Sequence, residues 1–232
     1  MIKEKKRQED LTYVSSQLSK RLKSSFGKGP DSCFSTFEEG MLYIHIRKFI
    51  TPSEEVLLKR NKKGLALTYR NVILEAIIED LKIELNKIFK VSFTHFFQDW
   101  DFDTNSGLLL MMTTSYNPPH IKNNNYSINN NLIIEKIQNA YIEAYKKPND
   151  ITISQINENI YVAECKHNFL PIELELYKQG NYEILLNHSY DIKRRLTEYK
   201  PLFISAFKRI VNDIFVMWDY DEDKNIVVFF VK

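Results

Sequence analysis

What most constrains this chain is an internal repeat, because landmarks of its first half return in the same order 118 or 119 residues further on. The stripe Val14, Leu18, Leu22, Phe26 recurs as Ile133, Ile137, Tyr141, Tyr145. Pro30-Asp31 returns as Pro148-Asn149, Thr51-Pro52-Ser53-Glu54 as Leu170-Pro171-Ile172-Glu173, and Trp100-Asp101-Phe102-Asp103 as Trp218-Asp219-Tyr220-Asp221. A chain of 232 residues could fold as one large domain or two small ones. The repeat decides for two: a first module over 1–114, a linker over 115–131 and a diverged second module over 132–232. Pro118-Pro119 and two Asn triplets give the linker a composition that turns and packs poorly.

Periodicity orders the elements inside each copy. Residues 9–26 carry apolar positions three or four apart, an amphipathic helix stopped by Gly27 and Gly29-Pro30. Met41–Ile50 alternates, with Leu42, Ile44 and Ile46 on one face and Tyr43, His45 and Arg47 on the other, which predicts a half-buried strand. Cys33–Phe37 pairs with it through Glu38-Glu39-Gly40. Thr51-Pro52-Ser53-Glu54 reads as a capping box with Pro at the first helical position. A short helix to about Asn61 follows, then a longer one from Leu67 to Phe89 burying Ile73, Ile77, Leu81 and Ile88. Val91–Asp101 and Leu108–Thr113 close a second hairpin. In the second copy Ile160–Phe169 is a strand, a helix begins near Ile172, and Ile214–Tyr220 pairs with Ile226–Val231. Pro201 must break or restart that copy's long helix, since it lacks an amide hydrogen and crowds the residue before it. The expected fold class is α+β: two tandem αββααββ modules, each a four-stranded antiparallel sheet with helices on one face.

Several functions find little support in composition. Lys and Arg number 32 against 30 Asp and Glu, a formal charge of +2, so no basic excess calls for nucleic acid. The apolar runs Leu108–Met112 and Ile226–Val231 are too short to span a bilayer, and the charged start Met1–Gln8 is unlike a signal peptide. Two cysteines, Cys33 and Cys165, fit a reducing compartment, so the expected location is cytoplasmic. The Lys3–Arg7 cluster is a weak electrostatic anchor for an anionic surface, and a solvated start is its default reading.

Chemistry-bearing residues form no coherent active site. Asp99, Asp101 and Asp103, with Asp219, Asp221 and Asp223, alternate as calcium ligands do. Counted from Asp101, however, the sixth and twelfth positions are Ser106 and Met112, where an EF-hand needs Gly and Glu. The five histidines lack zinc spacing, Cys165 aligns with the inward-facing Ile46, and no nucleophile elbow or dinucleotide fingerprint is present. No catalytic residue, metal or cofactor is therefore assigned. Trp100 and Trp218 could stack on a ligand, but their aromatic flanks point to packing. Gly27-Lys28-Gly29-Pro30 ends a helix where a phosphate-cradling loop would begin one. With Glu54 and Arg70 it forms the candidate anion- or partner-binding set.

Gly27-Lys28-Gly29-Pro30, the hairpin at Met41–Ile50, Thr51-Pro52-Ser53-Glu54 with Leu57, Tyr69-Arg70 and the final acidic hairpin together resemble the MpsC family. That family is described as a component of a sodium-translocating, membrane-potential-generating system. The resemblance covers about residues 10–113; residues 130–231 look like a diverged copy that keeps Pro171 and Glu173 and loses the glycines. It implies a small protein associated with a membrane system linked to ion movement and inorganic-carbon supply; the duplicated module without a catalytic constellation leads to the expectation of a non-enzymatic accessory or binding protein, cytoplasmic or peripheral to the membrane. The implied partner is a membrane transporter complex, with self-association a further expectation. If single-copy relatives pair, the tandem chain is expected to be a pseudo-twofold fused dimer. The alternative is a small-molecule or anion-binding enzyme with its site between the modules, near Lys28, Glu54 and Arg70.

Overall fold

A glycine ends the first helix. In the computed structural model, which describes residues 2–114 and 130–232, α1 (Ile2–Phe26) runs into Gly27 at φ 74°, a left-handed position that costs a residue with a Cβ more than it costs glycine. The helix starts well before the expected residue 9, and its stripe Val14, Leu18, Leu22 and Phe26 is buried. The chain divides into two compact units, Met1–Asn117 and Pro118–Lys232. Residues 115–129 of the expected linker, and His120 with them, lie outside the described residues.

The first unit continues with β1 (Ser32–Glu38), β2 (Met41–Arg47), α2 (Pro52–Lys59), α3 (Lys63–Phe89), β3 (Phe93–Asp101) and β4 (Ser106–Thr113). Its sheet is antiparallel in the order β1-β2-β4-β3. Glu39 and Gly40, both at positive φ, make the tight β1–β2 turn. Cys33, Ile46, Gly107 and Trp100 lie in one cross-strand row, as do Ser35, Ile44, Leu109 and Gln98. This face meets the helices: Ser15 of α1 shares a hydrogen bond with Ser35, and Trp100 meets Arg70 of α3.

Two expectations need correction here. The strand β2 stops at Arg47, and Met41 through Ile46 are buried without alternation. It is an inner strand, and the face away from the helices, with Tyr43, Leu108, Leu110 and Met112, is also apolar and buried. On α3, which starts four residues before the expected Leu67, the buried stripe is Arg70, Leu74, Ile77, Ile78, Leu81 and Leu85, and Ile73 and Ile88 sit at its margins. A stripe passing through an arginine defeats a search for apolar spacing.

The second unit has α4 (Asn130–Ala144), β5 (Asp150–Asn157), β6 (Ile160–Lys166), α5 (Pro171–Lys178), α6 (Tyr182–Glu198), α7 (Lys200–Phe207), β7 (Val211–Asp219) and β8 (Lys224–Val231). Its sheet order β5-β6-β8-β7 repeats that of the first unit, again antiparallel. The long helix restarts as expected: α6 ends at Glu198 and Pro201 sits in the first turn of α7. The sheet's core face carries Ile151, Ile153, Ala163, Cys165, Val216 and Val227 against Ile133, Ile137, Ile192, Leu196 and Phe203 of the helices. Cys165 is fully buried there, as its alignment with Ile46 predicts.

Candidate functional site

The entry to α2 organises the charged centre of the first unit. Thr51 is extended at the N-cap, and its hydroxyl accepts from the amide of Glu54 at 3.3 Å. Glu54 Oε2 accepts in return from the Thr51 amide and hydroxyl, both at 2.8 Å, closing the capping box. Pro52 loses nothing there, because amides of the first turn have no partner inside the helix. The box thus aims a carboxylate back under the helix start, where it is 0% exposed.

Arg70 of α3 meets that carboxylate with its side chain 1% exposed. Its Nε donates to Glu54 Oε1 at 2.6 Å, and its Nη2 donates to Oε2 at 2.5 Å and to the Phe49 carbonyl at 2.9 Å. Three rings wall the guanidinium: Trp100 at 4.0 Å, Phe49 at 5.0 Å and Phe102 at 5.3 Å. Gly107 makes the wall possible, since a Cβ there would come within 2.1 Å of the Trp100 ring. Burial pulls the Arg70 pKa below its ordinary value, and the bonds and charge of Glu54 oppose that pull. The bidentate geometry and the rings compensate a cation that burial alone would make very costly.

The Gly27–Pro30 turn comes close to this centre. Lys28 Nζ donates to the Ile50 carbonyl at 2.7 Å, tying the turn to the segment that leads into α2. The candidate residues are therefore brought together in layers, with Gly27 exposed, Lys28, Gly29 and Pro30 half-buried, and Glu54 and Arg70 closed on one another beneath. Sequence reasoning missed Asn105. At φ 51° it accepts from the amides of Phe49 and Ile50 at 2.7 and 3.0 Å, while its carbonyl accepts from the Lys48 amide at 2.7 Å. The repeat held the clue, because Asp223, 118 residues on, sits at φ 45° and takes the amides of Phe169 and His167 in the same way.

The second unit keeps this frame and changes its centre. Lys146 Nζ donates to the Phe169 carbonyl at 2.8 Å, reproducing the Lys28 tie although both glycines are gone. Leu170 has no side-chain acceptor, so only half the capping box survives, the Leu170 amide donating to Glu173 Oε2 at 2.7 Å. The position 118 residues after Arg70 is His188, whose Nε2 lies 3.1 Å from Glu173 Oε1. Tyr145, the counterpart of Phe26, donates its hydroxyl to Glu173 Oε2. Burial, then the Glu173 hydrogen bond, drives the Tyr145 pKa well above the ordinary phenol value. Asn225 occupies the place of Gly107, and Trp218 stacks against Phe169 at 5.6 Å. A closed strut in one unit is thus a part-open cluster of Glu173, His188 and Tyr145 in the other, with His188 41% exposed.

The acidic hairpins serve their own turns. Asp101 Oδ1 accepts from the amides of Asp103 and Thr104, and Asp219 accepts from the Glu222 amide and pairs with Lys224. Among the described residues, no group of three or more His, Cys, Asp or Glu is placed to hold a metal ion. In the cluster that opens the chain, Arg7 donates to the Phe37 carbonyl and pairs with Glu38 at 3.1 Å, an anchor on the β1–β2 turn.

These features define an α+β module, built twice on one strand order, whose buried charges in the first unit are spent on holding its own helices. Residues 6–115, most of the first unit, match the model of the family described as "Na+-translocating membrane potential-generating system (MpsC)". No curated protein and no solved structure matches the chain. The likeness of the second unit to the first rests on the internal correspondences above.

Proposed function

We propose that this protein is a non-enzymatic accessory component of a membrane ion-translocation or inorganic-carbon-supply system, acting at its cytoplasmic face through partner contacts. The family match over residues 6–115 carries the reading. The geometry supports it: Glu54 and Arg70 satisfy one another in a cage of rings and have no open face for a reactant. In this reading Gly27, Lys28, Gly29 and Pro30 form the partner-contacting turn, and Glu54 and Arg70 fix the α2 entry on which that turn rests. Among the described residues no helix is long and apolar enough to cross a membrane, so attachment falls to surface contacts. The test is affinity isolation from native cells in mild detergent. A membrane transporter subunit that copurifies supports the proposal; a preparation free of membrane proteins, or turnover of a small molecule by the purified chain, overturns it.

A further inference from the structure

The turn between α2 and α3 gathers Lys59, Arg60, Lys62 and Lys63 within five residues of a chain whose formal charge is only +2. Lys59, Arg60 and Lys62 are exposed, and Lys63 is half-buried with its Nζ 3.5 Å from Asp103. Large apolar side chains stand beside them in water: Val56 is 54% exposed on α2, and Leu65, Tyr69 and Val72 are 54%, 37% and 63% exposed on α3. Spacings of four and three place Leu65, Tyr69 and Val72 on one helical face, opposite the buried stripe of Arg70, Leu74 and Ile77. Tyr69 also packs edge-on against Phe26 at 5.7 Å, whereas the core does not account for Leu65 and Val72. Glu55 is the one exposed acid among residues 55–72.

We propose that this α2–α3 corner is a docking surface for an anionic lipid bilayer, with Lys59, Arg60 and Lys62 at the headgroups and Val56, Leu65, Tyr69 and Val72 entering the acyl boundary. Cations bordering an exposed apolar stripe are the complement of that interface, where apolar burial and charge attraction add. A purely phosphate-bearing partner would use the cations and leave the apolar side chains in water. The corresponding turn of the second unit, Lys178-Gln179-Gly180-Asn181-Tyr182, has one cation, so the surface belongs to the first unit alone. The inference rests on the membrane-associated reading above and gives it a direct lipid contact.

Flotation of the purified full chain with vesicles decides the matter. Binding is expected to vesicles containing phosphatidylglycerol and not to phosphatidylcholine alone, and to weaken in 0.5 M salt. Each cation near an anionic leaflet contributes about fivefold in partitioning, so K59E/R60E/K62E should bind at least tenfold more weakly. The variant L65S/V72S, which leaves every charge in place, should also lose binding, and circular dichroism should show all variants folded. No binding of the native chain to anionic vesicles, equal binding to both compositions, or undiminished binding by the charge variant overturns the proposal. If the native chain floats with neither vesicle yet still copurifies with a membrane subunit, the lipid site fails and the accessory reading stands. Vesicle binding without any copurifying subunit has the reverse meaning.

Discussion

At the scale of single residues, Glu54 and Arg70 form a pair in which neither charge can be removed alone. Glu54→Ala leaves a guanidinium 1% exposed with only the Phe49 carbonyl and the rings, and the expected loss of stability is about 3–5 kcal/mol in denaturant unfolding. Replacing both together, as E54L/R70M, should cost clearly less than Glu54→Ala, because no buried charge is orphaned. Equal losses in the two variants would refute this account of the pair. Gly107→Ala should also destabilise by a few kcal/mol, about the range for overpacking a core, because the new methyl runs into the Trp100 ring. Asn225 stands at the same place in the second unit, where Trp218 is partly exposed and leans on Phe169. One atom group on β4 or β8 thus decides whether the tryptophan lies across the strand.

At the scale of elements, helix ends and turns carry the shared frame. Gly27 at φ 74° has open space where a Cβ would go, so Gly27→Ala meets no clash and should cost only about 1 kcal/mol of backbone strain. A much larger drop in melting temperature would show that Gly27 does more than end α1. The lysine ties from Lys28 to Ile50 and from Lys146 to Phe169, with the Asn105 and Asp223 turns, hold the two helix entries alike even though the loops before them differ. The capping box at Thr51 and the helix restart at Pro201 were legible in the sequence because capping and proline chemistry are local. The α3 stripe was misread because Arg70 interrupts its apolar code, and only the opposing Glu54 explains an arginine in the core.

At the scale of the whole molecule, alkaline pH should act through buried thiols and phenols in both units. Burial raises the Cys33 thiol from 9.0 to about 11, so the folded state favours its neutral form. That contribution is complete below about pH 9 and is lost as pH rises through 11, so with the Cys165 thiol and the buried tyrosines it lowers chain stability across this window, and Cys33→Ala should lessen the fall. Thermal melts from pH 8 to 11.5 check it, and identical profiles for the two chains would contradict the burial of Cys33. The first unit's charged centre pairs a carboxylate with an arginine, whereas in the second the Glu173 carboxylate meets His188 and Tyr145. Arg70→Met should lower stability by about 3–5 kcal/mol in denaturant unfolding, because it leaves the Glu54 carboxylate buried without its cation.

The amino-acid sequence by itself determined the two-module organisation, the αββααββ order, the capping box and the proline break, because each depends on residue spacing or on backbone chemistry within a few positions. Only the tertiary structure decided that Glu54 and Arg70 neutralise one another, that Asn105 and Asp223 staple the helix entries, and that His188 lies against Glu173. These depend on side chains brought together from α2, α3, the β3–β4 turn and the segment before α2, or from their counterparts, and distance along the chain carries no record of such meetings. The repeat survives in structure as one strand order used twice around two unlike charged centres. A buried cage needs its ring, carboxylate and cation to change together, whereas caps and turns can be kept one residue at a time.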